Sequence, residues 1–175
     1  MSDLKGKVAI ITGAGAGMGK AHAELMAERG AIVVAQDIDG KRAEAVADLL
    51  RKKGATSYAI ACDVADTVAL TKALSDIVKI CGRVDILVNN AGIGGEPVIE
   101  DTTEEHFDRM FAVHVRGSFF AGKAVIPMMK QQKSGKIINI SSIWGMVGHH
   151  YASPYCAAKA ALLGLTKAWA KELAP

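Results

Sequence analysis

Short apolar runs alternate with longer amphipathic stretches along the whole chain. Five runs are almost continuously apolar: Lys7–Thr12, Ala31–Gln36, Thr56–Ala61, Val84–Val88 and Lys136–Ile140. A strand with one wet face alternates apolar and polar residues, whereas a strand covered on both faces does not, so these runs predict parallel strands sandwiched between helices. The stretches between them predict helices over about Gly17–Arg29, Lys41–Lys53, Asp66–Cys81 and Thr103–Lys130, with a last one from Pro154 to Leu173. Strand and helix in strict succession imply a doubly wound α/β sheet. Local signals set the ends. Thr102 and Glu105 have the spacing of a capping box, Ser153 followed by Pro154 reads as an N-cap with a first-turn proline, and Gly30 and Gly54 stand where left-handed C-caps belong. No repeat or linker interrupts the pattern, so residues 1–175 read as one domain. The two longest loops, Asn89–Thr102 and Ser141–Ser153, both follow the carboxyl ends of predicted strands, where ligands bind in such sheets.

Composition narrows the functions this domain can carry. Half of the 175 residues are hydrophobic and 22% are charged, which suits a packed domain and not a disordered chain. The formal charge is only +3 and the basic residues are scattered among acids, so neither nucleic acid nor an anionic membrane is expected as a partner. Cys62, Cys81 and Cys156 fit neither a zinc site nor a disulfide framework, which points to a reducing compartment. Residues Met1 to Lys7 are polar and lack the features of a signal peptide, and no apolar run approaches the roughly 18 residues needed to span a bilayer. The expected location is the cytoplasm, with no metal in the site.

Candidate chemistry begins at the end of the first strand. Gly13, Gly15, Gly17 and Gly19, with Met18 among them, lead from the strand into a helix, where backbone N–H groups and the positive dipole end can meet a pyrophosphate. The spacing is G-x-x-x-G-x-G, because Met18 and Lys20 occupy the places where G-x-G-x-x-G would need its third glycine. By itself such a turn is equally a tight strand-to-helix connection. Asp37 ends the second strand some twenty residues on, where a carboxylate accepts hydrogen bonds from ribose hydroxyls and repels a 2′-phosphate. Unit charges about 4 Å apart repel by roughly 4 kcal/mol at an effective dielectric of 20, so this placement favours NAD over NADP. Ile38 follows at the same rim. Lys41 and Arg42 read as solvated helix charges, and Asp37 could also be a turn residue before Gly40.

With that glycine spacing, Asn89-Asn90-Ala91-Gly92 after the fourth strand, and Tyr155-x-x-x-Lys159, the sequence resembles the short-chain dehydrogenase/reductase family. Asp63-Val64 and Ser142, thirteen residues before Tyr155, extend the resemblance over essentially the whole chain. It implies a Rossmann-type sheet ordered 3-2-1-4-5, with a sixth strand and most of the substrate pocket beyond Pro175. It also implies Asn90, Ala91 and Gly92 at the cofactor, Asp63 and Val64 flanking its adenine, and association of copies through the last helix. Ordinary members continue past this point, so an N-terminal part of such an enzyme is expected.

The residues support a mechanism independently. Tyr155 and Lys159 are four apart on a predicted helix and share a face. A phenol titrates near 10 in water and must fall by about two to three units to act as a base near neutrality, for which a cationic neighbour is suited. Tyr155 then takes the hydroxyl proton of an alcohol while its hydride leaves for nicotinamide, and Ser142 binds the substrate oxygen. The resemblance gives Lys159 a second task at the nicotinamide ribose, which its three N–H donors allow. The expected activity is NAD-dependent interconversion of a secondary alcohol and its ketone. A 3-oxoacyl thioester reductase, or a dinucleotide-binding fragment without turnover, are the alternatives. One departure stands in Val113-His114-Val115, where the family carries asparagine in a proton relay. His114 is either a supporting catalytic group or a packed helix residue. His149 and His150 either line the substrate site or are exposed loop residues. Asn89 to Gly92 also read as a structural turn, and Ala157, Ala158, Ala160, Ala161 and Gly164 allow close packing of the last helix, on another subunit or on the sheet.

Overall fold

The computed structural model describes residues 4–95 and 97–174. Five parallel strands form one sheet in the order β3-β2-β1-β4-β5. They are β1 Val8–Thr12, β2 Ile32–Asp37, β3 Ser57–Ala61, β4 Ile86–Asn89 and β5 Lys136–Asn139. The helices are α1 Gly17–Glu28, α2 Gly40–Lys52, α3 Thr67–Cys81, α4 Glu104–Phe111, α5 Gly117–Gln132, α6 Trp144–Val147 and α7 Ser153–Glu172. The chain steps outward from β1 to β3 and then crosses back to β4. That reversal opens a crevice at the carboxyl ends of β1 and β4.

Every residue of β1 is buried because the sheet has a core on each face. Val8, Ile10, Val34 and Leu87 share one cluster with Leu70 and Leu74 of α3 and Val125 of α5. Ala9, Ile11, Val33, Ala35 and Val88 share the other with Ala23 of α1 and Val46 and Leu50 of α2. Successive strand residues thus serve opposite cores, which is why apolar residues run on without alternation. Among the described residues β5 has a strand on one side only, and Ile138 is 43% exposed.

Several predicted ends shift for local reasons. Gly30 and Gly54 do close α1 and α2 at φ 89° and 88°. The N-cap of α4 is Thr103, whose Oγ1 accepts from His106 N–H at 3.1 Å, and not Thr102. Thr102 spends its hydroxyl on the Val98 carbonyl, closing a 3₁₀ turn over Ile99–Asp101 inside a stretch expected to be loop. Ser153 is the first residue of α7 and caps nothing, the N-cap being Ala152. The long fourth helix predicted over Thr103–Lys130 is three pieces: α4, a π-helical turn at Ala112–Arg116, and α5. The Ser118 hydroxyl donates to the His114 carbonyl inside that turn. α5 runs on to Gln132, where Lys133 takes a left-handed conformation at φ 54°. The predicted loop Ser141–Ser153 contains α6.

At the opposite end of the sheet from the crevice, Asp85 joins β1 to β4. Its carboxylate accepts from Val8 N–H at 2.9 Å, Lys7 Nζ at 3.1 Å and the Arg83 guanidinium at 2.6 and 2.7 Å. Burial works against the charged form, but the Arg83, Val8 and Lys7 donors outweigh it and hold the carboxyl at about 2. A carboxyl whose folded value lies below its unfolded value stabilises the fold above the unfolded value, and the contribution is lost as pH falls through the folded one. Asp85→Asn is therefore expected to lower the unfolding free energy by about 2 kcal/mol at pH 7. Urea titrations should show the gap between the two proteins narrowing from pH 4 downward and closing near pH 2; a gap that persists there would contradict this.

Candidate active site

The crevice floor is set by how closely two backbones approach. Gly13 follows β1 at φ 65°, and a Cβ there would lie 2.9 Å from Ala91 Cα. A Cβ on Gly19, in the first turn of α1, would lie 2.1 Å from the Gly13 carbonyl oxygen and 2.6 Å from Asn90 Nδ2. Only glycine permits this contact between the turn, α1 and the segment after β4. Thr12 Oγ1 accepts from both Asn90 N–H and Ala91 N–H at 3.0 Å, and Asn90 Nδ2 donates to the Thr12 carbonyl at 2.9 Å. Asn90 thus serves the turn itself, as its structural reading expected. Gln36, 1% exposed, accepts from Gly13 N–H at 3.3 Å and donates to the Cys62 carbonyl at 2.6 Å. Sequence reasoning passed over Thr12 and Gln36, although polar residues ending apolar strands were the signal. Gly17 opens α1 with no side-chain cap on its N-terminus, and Met18 is 62% exposed at the rim.

The neighbouring strands add polar groups to the same end. Asp37 accepts from Gly15 N–H at 2.8 Å and Asp39 N–H at 3.0 Å, so its carboxylate faces the glycine turn, with exposed Ile38 beside it. Arg42 pairs with Asp39 at 3.2 Å. After β3, Val64 is buried and Asp63 accepts from Ala65 N–H at 2.9 Å and from Arg109 of α4 at 2.7 Å. Partial burial pushes the Asp63 carboxyl up, but those two donors and the Arg109 charge prevail and hold it below the usual range.

Across the crevice, α7 carries Tyr155 and Lys159 one turn apart. Lys159 is 4% exposed; its Nζ donates to the Ile140 carbonyl at 2.8 Å and lies 5.5 Å from the Tyr155 ring centroid. Burial pulls its pKa down to about 8. Ser141 donates its hydroxyl to the Lys159 carbonyl at 2.7 Å, whereas Ser142 Oγ accepts from Trp144 N–H at 3.2 Å and keeps its hydrogen to donate. A Cβ on Gly145 would lie 2.7 Å from the Lys159 carbonyl carbon, so α6 rests on the α7 backbone and seats Ser142 beside it. His114 is 1% exposed within the π turn, with Nε2 2.9 Å from the Ile93 carbonyl oxygen and Nδ1 without a partner among the described residues. Burial and the Lys159 charge lower its pKa to about 4, against the Ile93 bond, so the imidazole is neutral. The Tyr155 ring meets His114 at 5.4 Å and Trp144 at 5.8 Å, both edge-on. His149 stacks on Trp144 at 3.8 Å and His150 on His149 at 4.2 Å, both histidines being exposed.

Residues 7–175 match the model of the short chain dehydrogenase family. The chain belongs to the short-chain dehydrogenases. It is 37% identical over 171 residues to the 3-oxoacyl-[acyl-carrier-protein] reductase of Thermotoga maritima, covering 98% of this chain and 70% of that one. It is likewise 37% identical over 175 residues to the cyclopentanol dehydrogenase of Comamonas testosteroni, covering all of this chain and 70% of the relative. Among solved structures, NAD⁺-bound xylitol dehydrogenase superposes with a TM-score of 0.95 at 32% identity, over 99% of this chain and 67% of that one. This short-chain dehydrogenase is therefore an oxidoreductase, and the five-strand order is that of a Rossmann-type sheet. No helix among the described residues is long and apolar enough to cross a membrane.

Of the site residues expected from the sequence of this dehydrogenase, the glycine turn and Asp37 come together at one half of the crevice. Tyr155, Lys159, Ser142 and His114 come together at the other. Trp144 and Arg109, by contrast, were not foreseen. A Cβ on Gly92 would lie 2.6 Å from His114 Cε1, which cannot move aside because it is buried. Gly92→Ala should therefore destabilise the fold by about 1–3 kcal/mol through overpacking. In a His114→Ala background the same change should cost clearly less, a coupling that denaturant titration of the four proteins measures; additive effects would contradict the contact.

Proposed function

We propose that this enzyme uses NAD(H) to interconvert a secondary alcohol and its ketone, with Tyr155 as acid/base. The observation that carries the reading is the buried Lys159 ammonium beside the Tyr155 ring, with a donor-ready Ser142 on the adjoining loop. The glycine turn fits a dinucleotide: Gly13, Gly15 and Gly19 pack it too closely for side chains, and Gly17 opens α1 with open space where a Cβ would be. When bound, the nicotinamide supplies the hydride acceptor in oxidation and the hydride donor in reduction.

This chain's residues do the rest. Ser142 donates a hydrogen bond to the substrate oxygen and holds it near Tyr155. The Tyr155 oxygen takes the alcohol proton as the carbinol hydride departs and returns it in the reverse direction. Lys159 favours the phenolate by its charge and has two further N–H donors for the nicotinamide ribose. His114 and Trp144 hold the phenol ring between two edge contacts. His114 Nδ1 is buried without a partner among the described residues, which suits the imidazole to a proton relay. Asp37 supports NAD over NADP, because the carboxylate that faces Gly15 would confront a 2′-phosphate in a partly buried setting. Asp63 and Val64 flank the adenine, and Ala91 and Gly92 border the cofactor. The cyclopentanol and xylitol relatives fit an alcohol substrate, and the three free cysteines fit a reducing compartment such as the cytoplasm. A homo-oligomer built on α7 belongs to the same reading.

In the full-length protein, Tyr155→Phe is expected to lower turnover of cyclic and open-chain secondary alcohols by at least about a thousandfold. NAD⁺ affinity should stay within a factor of about three, as measured by fluorescence titration. Substantial turnover by the Phe variant anywhere between pH 6 and 10 would overturn the assignment. NAD⁺ should bind at least tenfold more tightly than NADP⁺, about 1.4 kcal/mol, and Asp37→Ala should narrow the gap. Equal affinity of the unaltered protein for both would remove Asp37 from its role.

A further inference from the structure

We infer that Arg109 is a positioning residue for the adenosine half of the cofactor site, acting through Asp63; the inference rests on the NAD reading above. The segment after β3 is clamped from one side by a single helical element. Arg109 on α4 donates from Nη1 to Asp63 Oδ2 at 2.7 Å, while the other carboxylate oxygen accepts from Ala65 N–H at 2.9 Å. Eight residues further along the same element, Gly117 is so close to Val64 that a Cβ on it would lie 3.0 Å from Val64 Cβ. The polar and the apolar member of the Asp63-Val64 pair are thus both fixed by the element that also carries His114 to Tyr155.

Energetics separate this role from a structural one. The Arg109 and Asp63 side chains are 40% and 30% exposed, and ion pairs so open to water add little to fold stability. Their consequence is the direction in which the carboxylate points. With one oxygen on Ala65 and the other on Arg109, the remaining lone pairs of Asp63 have a fixed orientation, ready for an amino donor such as the exocyclic amine of adenine. An unpinned aspartate would have to be ordered on binding, at a cost in side-chain entropy that the ligand's affinity must absorb.

The test is calorimetric titration of the full-length protein with NAD⁺, AMP and nicotinamide mononucleotide. Arg109→Ala should weaken NAD⁺ and AMP by about fivefold or more, leave nicotinamide mononucleotide unchanged, and move the melting temperature by no more than a few degrees. Arg109→Lys, which restores the charge without the guanidinium geometry, should recover part of the loss. In an Asp63→Asn background, Arg109→Ala should add nothing further. Unchanged AMP affinity in Arg109→Ala, or an equal loss in the Asp63→Asn background, would overturn the inference while leaving the NAD reading intact. Failure of the unaltered protein to bind NAD⁺ or AMP would overturn both. Should Arg109→Ala not fold, Arg109→Lys decides: AMP affinity below that of the unaltered protein supports the inference, and affinity equal to it refutes it.

Discussion

The Lys159 ammonium sits almost wholly out of water, with the Ile140 carbonyl as its hydrogen-bond acceptor. Burying a charge with so little compensation is expensive: a fall from 10.5 to about 8 corresponds to roughly 3 kcal/mol against the charged form. The reacting end of the crevice is arranged around that group. Ile140 N–H donates to the Asn89 carbonyl at 2.9 Å and so aims its own carbonyl from the end of β5, Ser141 ties its loop to the Lys159 carbonyl, and glycine at 145 lets α6 lie on the α7 backbone. Burial, with the same charge adding to it, keeps His114 neutral. A lysine held here for stability alone would be a poor choice, since an apolar residue would avoid the penalty. On the proposed reading, its cost is preorganisation: a positive charge already in place where negative charge would develop on the phenol oxygen.

The other half of the crevice depends on absence of side chains instead of charge. Gly13 and Gly19 bring the turn after β1, the start of α1 and the segment after β4 within contact, and Thr12, Gln36 and Asn90 saturate the backbone there. The two halves are joined by α4, the π turn and α5. That continuous element reaches Asp63 through Arg109, Tyr155 and Ile93 through His114, and Val64 through Gly117. A π turn admits one extra residue, which rotates everything after it relative to everything before. Arg109 lies before that turn and His114 within it.

Much of this was legible in the chain, for reasons particular residues make clear. β1 reads as a strand because Val8, Ala9, Ile10 and Ile11 feed two cores in alternation, and Gly30 and Gly54 read as caps because a left-handed residue is needed there. Tyr155 and Lys159 could be paired because helix spacing alone puts them on one face. The π turn was hidden, since a single extra residue barely disturbs apolar periodicity over so long a helix. The Arg109 to Asp63 pair spans 46 positions and nothing local marks it. Thr102 and Thr103 are both cap formers, and only the 3₁₀ turn that occupies Thr102 decides between them. Ser142 is set apart from Ser141 in the chain by its spacing of thirteen residues to Tyr155, while the commitment of the Ser141 hydroxyl to the Lys159 carbonyl is visible only in the fold.

The account stands most directly on the state of Lys159, which can be read without substrate or cofactor. Nuclear magnetic resonance of the protein with isotopically labelled lysines, followed from pH 6 to 11, should show one side chain titrating near 8, well below the others, and that signal should vanish in Lys159→Met. A spectrum in which every lysine titrates above 10 would show that the ammonium is not desolvated, and the buried-charge basis of the proposed chemistry would be wrong.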